Sequence, residues 1–248
     1  MNTVELKEYL DFKVQQYNTP LFIESDPIQL PHRFTKKEDI EIVAFLVSTI
    51  AWGKRNMIIR SGERLIDIMG NDPYNFIQSY EPDHHLKFVH RTFNSIDLDF
   101  YFRSLQHIYA TGGLENTFTP HSDYHGIQGY IVNFRERFLE TPHEHRSEKH
   151  LSNPAKNSAA KRLNMFLRWM VRNDKCGVDF GIWNSIPMSE LYIPLDVHTA
   201  NVSRSLNLLT RKQNDWKALE KIMSTLKELD PNDPSKYDFA LFGIGAFE

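Results

Sequence analysis

The apolar residues of this chain recur at helical spacing in one segment after another, and no segment alternates apolar and polar positions as a half-buried strand does. That pattern restricts the chain to helix-on-helix packing. Gly and Pro number only 11 and 12 in 248 residues, too few for the turns of an all-β chain. Residues 4–17 carry the first helical pattern, and a Pro-rich loop follows over 26–32. Thr35-Lys36-Lys37-Glu38 reads as a capping box that opens an apolar helix holding Ile42, Val43, Phe45, Leu46 and Ile50. Trp52-Gly53-Lys54-Arg55 breaks that helix, and a second runs over 56–69 to Gly70. Asp72-Pro73 starts a short third, with Pro in the first turn. Further patterns cover 95–111, 126–140, 158–173, 196–208, 215–229 and 235–243, with a polar, His-rich loop over 141–157. About ten short helices with short links predict an all-α orthogonal multi-helix bundle.

The net charge of −3 counts mildly against nucleic acid, whose partners are usually basic. Local distribution says more. Between residues 146 and 175 there are eight basic residues and two acidic ones, a patch suited to phosphate. The single cysteine, Cys176, builds no disulfide, cysteine-rich zinc site or iron–sulfur cluster. The first residues hold no apolar leader, and no apolar run reaches 18 residues, so the expectation is a cytoplasmic protein off the membrane.

On a helical wheel of 158–173, Leu163, Phe166, Leu167 and Met170 make a core face. Lys161, Arg168 and Arg172 fall opposite, with Asn164 beside them. A solvated basic face is the plain reading. The sharper one starts from Lys161, a cation in a helix first turn, where the dipole and Arg162 both favour the neutral amine that a nucleophile needs. Asp196, in Ile193-Pro194-Leu195-Asp196-Val197-His198, reads equally as a helix N-cap and as a carboxylate kept ionised to support a developing cation.

The stretch Lys161-Arg162-Leu163-Asn164-Met165-Phe166-Leu167, followed by Ile193-Pro194-Leu195-Asp196-Val197-His198, resembles the catalytic half of the helix-hairpin-helix DNA glycosylase superfamily. Residues 226–245 resemble its closing helices, and 40–80 its early helical pair more weakly. The whole chain is also similar to a bacterial family without assigned activity, whose pattern includes Lys-Arg-Leu-Asn-x-Phe-Leu-Arg-Trp-Met and Pro-Leu-Asp-x-His. The resemblance implies one globular unit of two helical halves with a cleft between them. The early half spans 35–140, and 1–34 with 141–248 make the catalytic-like half.

It also implies a partner and a chemistry. A modified base in damaged duplex DNA is flipped out, and a lysine amine displaces it from the sugar. Position by position, Lys161 is the nucleophile and Asp196 the catalytic carboxylate, with a lyase step open to the same lysine. Trp52, Lys54, Arg55, Lys156, Asn164, Arg168 and His198 are the expected DNA or base contacts. No metal or other cofactor is expected, and a monomer is.

The chain departs from the family in its hairpin, which usually reads Leu-Pro-Gly-Val-Gly-x-Lys. Here Pro154-Ala155-Lys156-Asn157-Ser158-Ala159-Ala160 has no glycine, so the phosphate anchor is degenerate. The 35-residue interval from Lys161 to Asp196 resembles that of the divergent archaeal 8-oxoguanine glycosylases. The family's gap-filling glutamine falls near Ile50, and a frequent arginine falls at Asn201. The alternative is a catalytically inactive nucleic-acid-binding or structural protein that keeps the fold.

Three other features read as less informative. Asp83-His84-His85 has the phosphoesterase triplet but no strands bearing further aspartates. His143, His145 and His150 lie in a polar loop without a fourth convergent ligand, more often a solvated tract than a metal site. Phe100, Tyr101 and Phe102, and likewise Trp169 and Trp183, are expected in the core.

Overall fold

A computed structural model describes residues 2–83 and 85–248. Among them, chain order runs through α1 (Thr3–Tyr17), α2 (Pro20–Ser25), α3 (Lys37–Thr49), α4 (Arg55–Ile68) and α5 (Pro73–Gln78). The strands β1 (Val89–His90) and β2 (Phe93–Asn94) come next, then α6 (Ser95–Ala110), α7 (Gly126–Phe138) and α8 (Lys161–Val171). The chain closes with α9 (Val197–Ser205), α10 (Trp216–Leu229) and α11 (Tyr237–Phe247). The protein is mostly helical, and among the described residues no helix is long and apolar enough to cross a membrane. The chain divides into two compact units, Ser25–Ser152 and Met1–Glu24 with Asn153–Glu248.

In the unit Ser25–Ser152, α3 is apolar on nearly every side and is buried accordingly from Ile40 to Ile50. Its Phe45 ring meets Tyr101 of α6 and Phe134 and Phe138 of α7 at centroid distances of 5.7, 5.5 and 5.3 Å. Phe100, Tyr101 and Phe102 are all fully buried, as their spacing with Leu105 predicts. The buried Glu41 carboxylate of α3 accepts the Tyr109 hydroxyl at 2.7 Å, so the polar group enters the core with a partner. The capping box expected at Thr35 does not form. Lys36 takes the N-cap position without a side-chain bond, and Asp39 instead accepts the Tyr74 N–H of α5 at 2.8 Å. Capping boxes form at Asn2 with Glu5 and at Asn94 with Asp97. The β1–β2 hairpin was not expected, because two residues per strand give no alternation to detect.

The His-rich loop is pinned by carboxylates. Over the short 3₁₀ turn His145–His150, the His145 Nδ1 lies 2.9 Å from Glu148 and the His150 Nε2 lies 3.3 Å from the buried Asp97. Arg146 donates to Asp97 at 2.8 Å and Ser147 at 2.6 Å. Burial pushes the Asp97 carboxyl up, but bonds from His150, Ser147 and the Asn94 N–H outweigh it and hold the group down at about 2. His84 lies outside the described residues, and His85 closes a turn by donating its N–H to Asp83 at 2.7 Å.

In the other unit, α11 runs between α1 and α9 and is thinned by a glycine on each side. A Cβ on Gly243 would fall 2.1 Å from the Tyr17 ring of α1, and one on Gly245 would fall 2.9 Å from His198 of α9. Neither helix could come so close against a larger residue. Asp215 caps α10 by accepting the Ala218 N–H at 3.0 Å. Its other oxygen accepts from Asn157 Nδ2 at 3.0 Å, which ties the turn before α8 to the start of α10.

Candidate functional site

Helix α8 starts at Lys161, three residues later than its apolar pattern suggests, because Ala160 takes a left-handed conformation with φ 47°. Asn157, closing the 3₁₀ turn Pro154–Lys156, is left-handed as well at φ 64°. The segment without glycine thus makes two left-handed bends in the seven residues before Lys161. Asn tolerates that conformation through its short polar side chain, whereas Ala160 bears a strain of about 1 kcal/mol or more.

The two bends aim Lys161 toward the start of α9. Its Nζ lies 3.5 Å from Asp196 Oδ2, with the lysine side chain 38% exposed and the aspartate 12%. Asp196 is the N-cap of α9, and its Oδ1 accepts the Thr199 N–H at 2.8 Å. One carboxylate therefore caps its helix with one oxygen, as expected, and faces the lysine with the other. Two fully buried polar atoms nearby in these helices have no hydrogen-bond partner among the described residues: Asn164 Oδ1, one turn after Lys161, and Thr199 Oγ1. Asn164 spends its amide hydrogen on the Ala159 carbonyl at 3.0 Å. Such orphans are uncommon in a native interior.

The expected core face holds, since Leu163, Phe166, Leu167 and Met170 are all buried. The basic face opposite needs correction. Arg168 and Arg172 are 3% and 1% exposed and meet carboxylates rather than solvent. Arg168 donates to Asp179 at 3.2 Å and to Asp238 of α11. Arg172 pairs with Asp174, Asp179 and Asp233 at 2.7, 3.1 and 2.9 Å. Desolvating a guanidinium is costly, and the four aspartates from three other stretches of chain offset it. The surface patch of 146–175 is correspondingly smaller, because Arg146 is spent on Asp97 as well.

Asp238 is the residue that the sequence reading missed. It is 5% exposed, and burial pushes its carboxyl up to about 7 against the opposing pull of Arg168; Asp196 and Asp179 reinforce the rise and Lys161 reduces it. The buried Asp179 is likewise raised by burial, with Arg168 and Arg172 pulling the other way. An acidic residue inside the otherwise apolar run of α11 was the one signal of it.

The remaining expected contacts fall in two places. His198 is exposed, donates its Nδ1–H to the Gly245 carbonyl at 2.8 Å and fixes α9 on α11. Lys156 is exposed on its 3₁₀ turn. Trp52, Lys54 and Arg55 belong to the unit Ser25–Ser152. Trp52 is half-buried, its ring stacked on His150 at 5.9 Å and edge-on to His90 at 5.0 Å. Lys54 is exposed, and Arg55 reaches Ser25 at 3.4 Å. Trp169 and Trp183 are core residues, the latter edge-on to Phe166 at 5.3 Å. Among the described residues, no group of three or more His, Cys, Asp or Glu is arranged to hold a metal ion.

No curated protein and no solved structure matches the chain. A family model does match it, over residues 26–247, which include the helices α3–α11, Lys161, Asp196 and the arginine–aspartate cluster. By that match the chain belongs to the family described as Protein of unknown function (DUF2400).

Proposed function

We propose that this protein is a DNA glycosylase-like enzyme that removes a modified base through Lys161. The observation that carries the reading is the approach of Lys161 Nζ to within 3.5 Å of Asp196 Oδ2, each residue standing at a helix start. The Lys161 amine attacks the sugar C1′, the bond from C1′ to the base nitrogen breaks, and the base leaves with the electron pair. Asp196 supports the positive charge that develops on the sugar and accepts the proton that the attacking amine gives up. The resulting imine can eliminate the 3′ phosphate, which is the lyase step.

The test is reductive trapping. The protein is incubated with a panel of lesion-bearing duplexes and borohydride, which reduces the imine to a stable amine link. A covalent adduct absent in Lys161→Ala is the expected result. Folded wild-type protein that yields neither adduct nor free base across the panel overturns it. The second reading, a non-catalytic nucleic-acid-binding or structural protein, rests on the same pair acting as an ion pair that ties the starts of α8 and α9 together.

A further inference from the structure

The β1–β2 hairpin is locked onto one side of α4. His90 Nδ1 lies 2.9 Å from Ser61 Oγ, and His90 Nε2 lies 3.1 Å from the Trp52 carbonyl. Arg64 donates to the Lys87 carbonyl at 3.1 Å, with its guanidinium 5.7 Å from the centre of the Phe88 ring. Arg91, at the hairpin tip, lies over Gly53, where an added Cβ would be 2.9 Å from its Nη1. These contacts bring the exposed residues Lys54, Arg64, Lys87 and Arg91 to the hairpin side of α4, in a strip that runs from its N-cap at Lys54 along most of its length to Arg64.

We propose that this strip binds the phosphate backbone of a nucleic-acid duplex, with Lys54, Arg64, Lys87 and Arg91 as its phosphate contacts. The ion pairs of this unit use other cations, so none of the four is held in a direct ion pair among the described residues. On α4, Arg64 stands roughly 60° round the helix from Ser61, on the hairpin side, whereas Glu63 and Asp67 stand roughly 160° and 120° away. Glu63 is thus turned from the hairpin, whereas Asp67, three residues after Arg64 and roughly 60° round the helix from it, borders the strip. Arg91 holds a left-handed backbone with φ 56°, where glycine would sit without strain. Keeping a guanidinium there costs about 1 kcal/mol or more. From Lys54 to Arg64 the helix rises about 15 Å, the span of roughly four phosphates along one strand.

The chemistry favours nucleic acid over an anionic membrane. Met57 and Val89, 50% and 62% exposed, are the large apolar side chains of the strip, and the apolar residues Ile58, Leu65 and Ile66 of α4 are buried inward. An interfacial helix needs a continuous apolar face to insert, and α4 has none free. The proposal takes its partner from the DNA reading and is independent of the chemistry at Lys161.

The test is fluorescence anisotropy of the full chain with an undamaged labelled duplex over a series of salt concentrations. For the double variant Lys87→Gln/Arg91→Gln, the slope of log K against log salt should fall by about 2, one for each cation removed. Affinity at low salt should drop at least about tenfold. Lys36→Gln and Arg137→Gln, on other parts of the same unit, should leave the slope unchanged, and thermal melts confirm that every variant is folded. An unchanged slope in the double variant overturns the proposal. So does a loss confined to phosphatidylglycerol vesicles, which would assign the strip to lipid. If the slope falls but borohydride traps nothing, the surface stands and the enzymatic reading fails. If borohydride traps an adduct and the slope is unaltered, the enzymatic reading stands and the surface fails.

Discussion

Asp196 gives one carboxylate oxygen to its own helix and the other to Lys161, with 2.8 Å to the Thr199 amide and 3.5 Å to the lysine Nζ. The two roles can be separated by substitution. In Asp196→Asn the side-chain oxygen still caps α9, so stability should stay close to that of the wild type. In Asp196→Ala the cap is lost at a cost of about 1 kcal/mol. Trapping at Lys161 should fall about 10²-fold or more in both, since neither retains a base. Thermal melts paired with trapping read the split. Full trapping by Asp196→Asn would remove the carboxylate from the chemistry.

Asp238 makes stability depend on pH in an unusual direction. Its carboxyl is raised from 3.8 to about 7 by burial, so between those values the folded protein holds more protons than the unfolded chain. The contribution is fully present below pH 3.8 and is lost as pH rises through about 7. Asp238→Asn keeps an oxygen for Arg168 but does not titrate. Relative to the wild type, it should gain stability from pH 5 to pH 8, by up to on the order of a few kcal/mol. Urea midpoints at the two pH values check this, and parallel profiles for the two proteins would refute it.

Removing one guanidinium from the buried cluster should be costly. Arg168→Met leaves Asp179 and Asp238 without their shared partner, at about 3–5 kcal/mol. The loss should appear as a lower urea midpoint. Any loss of DNA binding by this variant should track its unfolded fraction, because Arg168 is 3% exposed and does not reach a ligand at the surface. Weakened binding by a variant of undiminished stability would contradict this.

Asp97 predicts the opposite pH behaviour. Its carboxyl is held at about 2, against 3.8 unperturbed, because the bonds from His150, Ser147 and Asn94 outweigh its burial. Its contribution is present above pH 3.8 and is lost as pH falls toward about 2. Asp97→Asn should therefore lower stability at neutral pH by about 2 kcal/mol, with the deficit shrinking in acid. Proteolysis within 141–152 should quicken at the same time, since that carboxylate holds the loop through Arg146, Ser147 and His150. An unchanged melting temperature at neutral pH would count against this role for Asp97.

Most helices were legible in the sequence because each carries its own period and its own stops. Asp196 and Asp215 cap α9 and α10 where the sequence placed them. What was illegible depended on partners far along the chain. A wheel of α8 puts Arg168 and Arg172 opposite the apolar face, and nothing in that helix announces Asp233 or Asp238, more than 60 residues later. The start of α8 was misplaced because Ala160 gives no compositional sign of a left-handed backbone. The Lys161–Asp196 pair was legible as two separate helix starts, and their mutual distance came only from the fold.

The packing of α1 against α11 has a consequence for synthesis. Lys7 and Tyr237, 230 positions apart, meet across that contact, so α1 leaves the ribosome long before its partner is made. The stretch Ser25–Ser152 emerges whole and can condense first, while α1 must wait with its apolar side uncovered. Closing so distant a contact is slow. Docking of α1 must therefore follow synthesis of α11, and until then α1 keeps the side that faces α11 uncovered.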